Sequence, residues 1–252
     1  ISPVETSYMA ADSWKYEASN GFLHFLNNDR LNQVMDQMVQ CFTEDNPYKD
    51  FDEERLLEYM RKEMELDKES DTSWLYSNIG AGVLGYTLTQ IEGKTYEEML
   101  QERIFLPLGM QQSTTDRTLV ADKLVSGLTK RGKSATNWDL GAIPGAGAIV
   151  SSAEDLAKFA QANFNPNYEA LKLQQQKTFS VKKDQDMALG WFIRNQKSKQ
   201  ILWHSGGTGG YRSMLVLNPE SNKGIVILTN ISSGHEHAGR ISSLGFSLLN
   251  SI

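Results

Sequence analysis

The spacing of apolar residues divides the chain into a strand-like end and a helix-like middle. Between 200 and 230 they come in three short runs, 200–203, 212–217 and 224–230. Runs of this length bounded by turn residues read as strands. Asn218-Pro219-Glu220-Ser221-Asn222 is the turn between the last two. Between the first two lies Trp203-His204-Ser205-Gly206-Gly207-Thr208-Gly209-Gly210-Tyr211, with glycine at 206, 207, 209 and 210. Glycine has no side chain to bury, so the cluster predicts a bend with unusual backbone angles that something approaches closely. Two readings fit. One is a glycine-rich hairpin with His204 as an ordinary edge residue. The other is exposed backbone N–H beside a histidine, as an acyl-transfer site needs for its oxyanion hole.

The pattern upstream is mostly helical. Alternation on both sides of Asn20-Gly21, over 14–25, predicts a hairpin. Asn27-Asn28-Asp29 can cap a helix whose Leu31, Val34, Met35, Met38 and Val39 share one face. A polar loop with Pro47 spans 43–50, and a helix over 51–68 carries Leu56, Leu57 and Met60 on one side. Trp74-Leu75-Tyr76-Ser77-Asn78 leads into 79–91, apolar nearly all round and carrying Gly80, Gly82 and Gly85. That composition predicts a buried helix with close neighbours on every side. Residues 96–105 predict a helix ended by Pro107 and Gly109, and the Gly/Ala/Pro run 141–149 predicts a loop against the core. Ser151-Ser152-Ala153-Glu154 is a capping-box pattern opening a helix with Leu156, Phe159 and Ala160 inward. A further helix is predicted over 168–177, the strand-rich end from 188, and a closing helix over 241–252. There is no repeat, low-complexity tract or linker.

Composition narrows the class. The 252 residues suffice for one large domain or two lobes sharing a core. Apolar residues make up 40% and charged residues 22%, as in a water-soluble globular chain. A net charge of −6 argues against nucleic acid or an anionic membrane as main partner. No run of about 18 apolar residues predicts a membrane span, and the first residues do not read as a signal peptide. With only Cys41, no internal disulfide is expected. His235-Glu236-His237 is the nearest approach to metal-ligand spacing, and its polar surroundings predict solvated surface. No metal or cofactor is expected.

Tyr76-Ser77-Asn78 at the head of an apolar helix and His204-Ser205-Gly206 on a strand stand together with their flanks: residues 76–110, the stretch GAGAIVSSAEDLAKF over 145–159, and 189–230. In this combination the sequence resembles the serine β-lactamase and penicillin-binding protein superfamily, in its class C and esterase-like branch. Tyr76-x-Asn78 matches the Tyr-x-Asn of that branch, and His204-Ser205-Gly206 matches the His-x-Gly form of its Lys-Thr-Gly. The resemblance spans roughly 45–250. It implies an α+β fold, an antiparallel sheet flanked by helices plus a helical lobe, with a cleft between them, over a single domain 1–252. It implies a serine hydrolase whose small acyl substrate is a β-lactam, a D-amino-acid peptide or an ester, in a periplasmic or secreted setting. Tyr76 would take the nucleophile's proton. A phenol titrates near 10, so it does this at neutral pH only where positive charge favours the phenolate. Asn78 would hold a substrate amide and a lysine, or else simply cap its helix. His204 would line the opposite wall, with Ser205, Gly206 and the backbone N–H near Gly207 serving substrate and oxyanion.

The departure from the family is the nucleophile. In the family a Ser-x-x-Lys lies well before Tyr-x-Asn, and residues 1–75 contain none. The sole match in the chain is Ser180-Val181-Lys182-Lys183, after Tyr76 in a charged stretch without helical pattern. The residues 31–42 resemble the family's first helix, and 43–50 already resemble the loop before Tyr-x-Asn. The expectation is therefore a domain lacking the segment with the nucleophile helix. Its surroundings would be filled by the 14–25 hairpin or covered by a second copy in a homodimer. The competing expectation is an inactive family member that binds a ligand or partner in the retained cleft.

Overall fold

The structure, a computed structural model, describes residues 46–48, 50–64, 74, 76–196 and 199–252. The predicted hairpin 14–25 and helix 31–42 lie outside the described residues. Helix α1, Glu53–Lys62, starts where the Asp52 carboxylate accepts the Arg55 N–H. Glu53 and Glu54 in its first turn and Arg61 and Lys62 in its last complement the helix dipole. It is shorter than the expected 51–68, of which 65–68 lie outside the described residues.

Helix α2, Asn78–Glu92, is capped by Ser77, whose hydroxyl accepts the Gly80 N–H at 2.9 Å, and ends at Gly93 with φ +63°. Gly82 and Gly85 are buried against the short 3-10 turn Pro144–Ala146. A Cβ on Gly82 would lie 2.4 Å from Ile143 Cβ, and one on Gly145 would lie 2.6 Å from the Ala81 carbonyl. These glycines serve packing: they let an irregular loop lie directly on a helix. The expectation of neighbours on every side is corrected here. Ala81, Leu84, Leu88 and Ile91 face outward, Leu84 at 62% and Ile91 at 73% exposure. The apolar run suggests burial all round, but α2 buries the sides turned to α1, the Tyr96–Leu100 helix and the 141–149 loop and leaves another side exposed.

Helix α3, Tyr96–Leu100, opens on a Thr95/Glu98 capping box and widens into a π-turn, Gln101–Phe105. Helix α4, Ala153–Phe164, is capped by Ser152, one residue later than the sequence pattern suggested. The N3 residue is Asp155, whose carboxylate points away from the cap. It accepts from the Gln112 N–H (2.6 Å), Ser113 Oγ (2.9 Å) and Lys158 Nζ (2.9 Å). Lys158 also donates to the Gly109 carbonyl. Burial raises the Asp155 carboxyl, but these bonds outweigh burial and hold it below the usual carboxylate range. The buried carboxylate thus pins the 109–113 turn to α4. Helix α5, Glu169–Leu173, occupies part of the expected 168–177.

Among the described residues the strands of the strand-rich end begin at 179, earlier than the expected 188. Six of them, β1 Phe179–Lys182, β2 Gln185–Met187, β3 Phe192–Gln196, β4 Lys199–Thr208, β5 Tyr211–Asn218 and β6 Lys223–Thr229, form one antiparallel sheet in sequence order. Helix α6, Arg240–Ser251, closes the described chain. The sheet is covered on both faces. Ile193, Leu202 and Leu217 pack with Ala160 of α4, and Ile201, Met214 and Val216 pack with Ile241 and Leu249 of α6. Strand alternation sorts these residues between the two faces. Phe159 of α4 packs both on the first of these clusters and on the Leu100–Phe105–Met110 cluster, joining sheet and helical half. No helix among the described residues is long and apolar enough to cross a membrane.

Candidate active site

Tyr76 and Asn78 stand at the head of α2, and His204 stands midway along β4. Because Ser77 fills the cap, Asn78 is free of that role, and the helix-cap reading of Asn78 does not apply. Its Oδ1 is buried and has no hydrogen-bond partner among the described residues. Leaving a buried amide oxygen unpaired costs about 1–3 kcal/mol, so this acceptor is open to a water, a ligand or another group.

On the sheet side, β3 pairs with β4 only as far as Phe192↔Trp203. From His204 to Thr208, β4 pairs with β5 on one edge, and among the described residues no strand lies on the other. Among the described residues this stretch of β4 is a sheet edge, the kind of place where a strand presents backbone donors and acceptors. Alternation splits the expected site residues. His204 and Gly206 share the α4 face with Leu202, whereas Ser205 pairs with Met214 and is 3% exposed on the α6 face. The Ser205 side chain therefore does not line a wall with His204. Gly207 is buried and paired with Arg212.

The glycine cluster divides by task. Gly209 and Gly210 form the two-residue turn between Thr208 and Tyr211, and of the four only Gly210 has positive φ, +88°. A Cβ on Gly209 would meet the Thr136 carbonyl at 2.2 Å, and one on Gly210 would meet Ala135 Cβ at 2.7 Å. A Cβ on Gly206 would meet Ser213 Oγ at 2.7 Å. What approaches these glycines is the chain's own 126–138 loop and strand β5, so the hairpin reading is correct for the turn. The Tyr211 hydroxyl fastens the same loop by donating to the Val125 carbonyl.

His204 is half-buried, and loss of water around its ring pushes the imidazole down to about 3. It is neutral at physiological pH and does not supply the positive charge that a phenolate at Tyr76 would need. The two motifs are linked through rings. Tyr76 lies 6.4 Å from Trp74, Trp74 lies 5.5 Å from Phe192, and Phe192 lies 5.7 Å from His204, centroid to centroid. Sequence reasoning treated Trp74 and Phe192 only as parts of their segments. Their aromatic type was visible, but the contact between residues more than a hundred positions apart was not.

Ser180 lies on the edge strand β1 and donates to the Asp186 carboxylate at 3.0 Å. Asp186 also takes Lys177 and Asn195. Lys183 is in the β1–β2 turn rather than on a helix turn beside Ser180, so Ser180 and Lys183 do not form the family's nucleophile pair. The His235 and His237 rings lie 5.4 Å apart in an irregular turn, and His235 Nδ1 accepts the His237 N–H. Among the described residues no three potential metal ligands gather.

An antiparallel sheet flanked by helices, with Tyr-x-Asn at a helix head and His-x-Gly on an open-edged strand, defines a member of the serine β-lactamase and penicillin-binding protein superfamily. The chain belongs to the Beta-lactamase family, whose model matches residues 29–246. It is 28% identical over 180 residues to Protein flp of Staphylococcus aureus (strain MW2), covering 67% of this chain and 36% of that protein. The structure of a class C β-lactamase from Rhodobacter sphaeroides superposes with a TM-score of 0.67 at 19% identity, over 80% of this chain and 66% of that one. An octameric penicillin-binding protein homologue from Pyrococcus abyssi gives 0.61 at 24% identity, over 71% and 43%. The chain thus spans about a third to two thirds of the length of these relatives. The two structural likenesses bear on the fold.

Proposed function

We propose that these residues form the proton-handling and substrate-holding part of an acyl-enzyme site acting on an amide or ester: a β-lactam, a D-amino-acid peptide or a simple ester. In this reading the open edge of β4 from His204 holds the acyl group by backbone hydrogen bonds, Asn78 Oδ1 accepts from a substrate amide N–H, and Tyr76 donates its phenolic proton. The observation that carries the reading is the buried, unpartnered Asn78 Oδ1 at the head of α2. His204, held neutral, serves as a hydrogen-bonding wall rather than a cation.

The acylating serine is the part these 252 residues do not supply in the family's form. A serine hydroxyl is a poor nucleophile without an adjacent base, and the one Ser-x-x-Lys is engaged at the sheet edge with Asp186. That observation favours a second reading for this chain by itself: it binds the acyl ligand without turnover. Incubation with benzylpenicillin and with a fluorophosphonate, read by intact mass and by ligand-observed NMR, separates the readings. The expected result is reversible penicillin binding, weakened by Asn78→Ala, and no covalent adduct. An adduct on any serine overturns the non-acylating reading and relocates the nucleophile, with Ser180 the first to check. Absence of binding overturns the site.

A further inference from the structure

Phe192 belongs to neither motif, yet it touches the approach to both. It is the first residue of β3 and is 2% exposed. Its ring stacks on Trp203 at 4.6 Å and 20°, and Trp203 in turn meets Phe246 of α6 edge-on at 5.8 Å. The same ring lies 5.7 Å from His204, and Trp74 meets it edge-on at 5.5 Å and 70°. Trp74 precedes Tyr76 by two residues ahead of α2. One ring therefore contacts the strand that carries His204 and the segment that carries Tyr76 and Asn78. It is itself fixed from behind by α6 through Trp203.

We propose that Phe192 is a positioning residue that sets the separation and tilt of the Tyr76-Ser77-Asn78 segment relative to His204. The inference rests on the reading of Tyr76, Asn78 and His204 as one site. The physical basis is geometric. Aromatic pairs at these distances prefer edge-to-face or offset stacking, so moving Trp74 or His204 requires the Phe192 ring to move, and Trp203 and Phe246 resist that. An aliphatic side chain of similar volume would keep the burial but lose the directional contacts. Sub-ångström looseness between groups that act together is costly in acyl transfer, which is why a ring at this junction has a use beyond filling space.

A triple-mutant cycle tests this without needing a ligand. No ring contact joins Trp74 and His204 to each other among the described residues, so any energetic coupling between them runs through what lies between. The unfolding equilibrium is measured for Trp74→Leu, His204→Gln and the pair, first in the parent protein and then in Phe192→Leu. The expected result is a coupling of about threefold or more in the unfolding constant in the parent, collapsing to within error of onefold in the Phe192→Leu background. Ile193→Val, a buried substitution on the opposite face of β3, leaves the coupling in place although it too loses packing. If Phe192→Leu does not fold, Phe192→Met takes its place. No coupling in the parent, or coupling that survives loss of the ring, overturns the proposal. Penicillin affinity is read alongside: it falls about tenfold in Phe192→Leu if both the site reading and the positioning role hold. A vanished coupling with no penicillin binding even in the parent sinks the site reading and leaves the positioning role standing.

Discussion

The sheet half and the helical half both use glycine to let the chain's own segments approach closely, but they differ in what they leave uncovered. Around β4 and β5, Gly206, Gly209 and Gly210 admit the chain's own Ser213, Thr136 and Ala135, and the sheet is covered on one face by α4 and on the other by α6. In the helical half, Gly82, Gly85 and Gly145 bring the 141–147 loop onto one side of α2, while Leu84, Leu88 and Ile91 on another side stay exposed. The difference extends to the polar groups. His204 is half-buried beside the Phe192 ring, with loss of water pushing its imidazole down, whereas Asn78 Oδ1 is buried with nothing to meet among the described residues. Both halves leave apolar side chains exposed, Leu244 and Leu248 on α6 as well as Leu84 and Leu88 on α2, but the half bearing Tyr76 and Asn78 also keeps a buried acceptor without a partner among the described residues.

The largest effect expected is at the seam of the helical half. Gly82→Ala drives a methyl to 2.4 Å from Ile143 Cβ, and should cost about 3 kcal/mol in chemical denaturation. Gly80→Ala, exposed and 3.3 Å from Ser77, should be nearly neutral, because a helix-propensity gain of about 1 kcal/mol offsets the tight contact. Equal losses at both positions would mean that α2 does not lie on the loop as described.

Next is the fastener between the halves. Asp155→Ala strands the Gln112 N–H and takes one partner each from Ser113 and Lys158, which keep Ser151 and the Gly109 carbonyl, for an expected loss of about 2 kcal/mol. Hydrogen exchange should rise at 109–113 before it rises in β4 and β5. Uniform loss of protection would show that the two halves open as one unit.

The pH dependence separates the halves further. His204 is neutral when folded, with its value depressed to about 3, and the unfolded imidazole takes up a proton near 6.5. The contribution of this residue is therefore fully present above about 6.5 and is lost as pH falls toward 3. The slope approaches about 1.4 kcal/mol per pH unit below the unfolded value. Between pH 6.5 and 5, above the range where carboxylates such as Asp155 titrate, His204→Gln should flatten the stability curve. A curve unchanged by that substitution would mean the ring is hydrated.

The smallest effect on stability tests the exposed stripe. Leu84→Gln with Leu88→Gln should change stability by no more than about 0.5 kcal/mol yet lower the binding of an environment-sensitive hydrophobic dye. A stability loss of several kcal/mol would show those side chains buried in solution.

Much of the local structure around the candidate site residues was legible in the chain because short-range rules write it there. Ser77 next to Asn78 announces a helix start, and runs of β-branched and aliphatic residues around a Gly-Gly dipeptide announce strands and a tight turn. The class of protein followed from Tyr76-x-Asn78 and His204-x-Gly206 in order with their flanks. Which cap holds was not legible, since Ser77 and Asn78 are both good caps and only the backbone angles choose between them. The apolar run 79–91 likewise could not say which sides are covered, because that depends on where the 141–149 loop returns.

By itself, the sequence determined the antiparallel strands, the helix heads, the family and the lack of a Ser-x-x-Lys before Tyr76, because periodicity and motif order are properties of neighbours along the chain. Only the tertiary structure decided that Ser205 turns away from His204, that Ser180 is held by Asp186, that His204 stays neutral, and that Phe192 links the two motifs. Those outcomes depend on burial and on contacts between segments far apart in sequence, which no local pattern encodes.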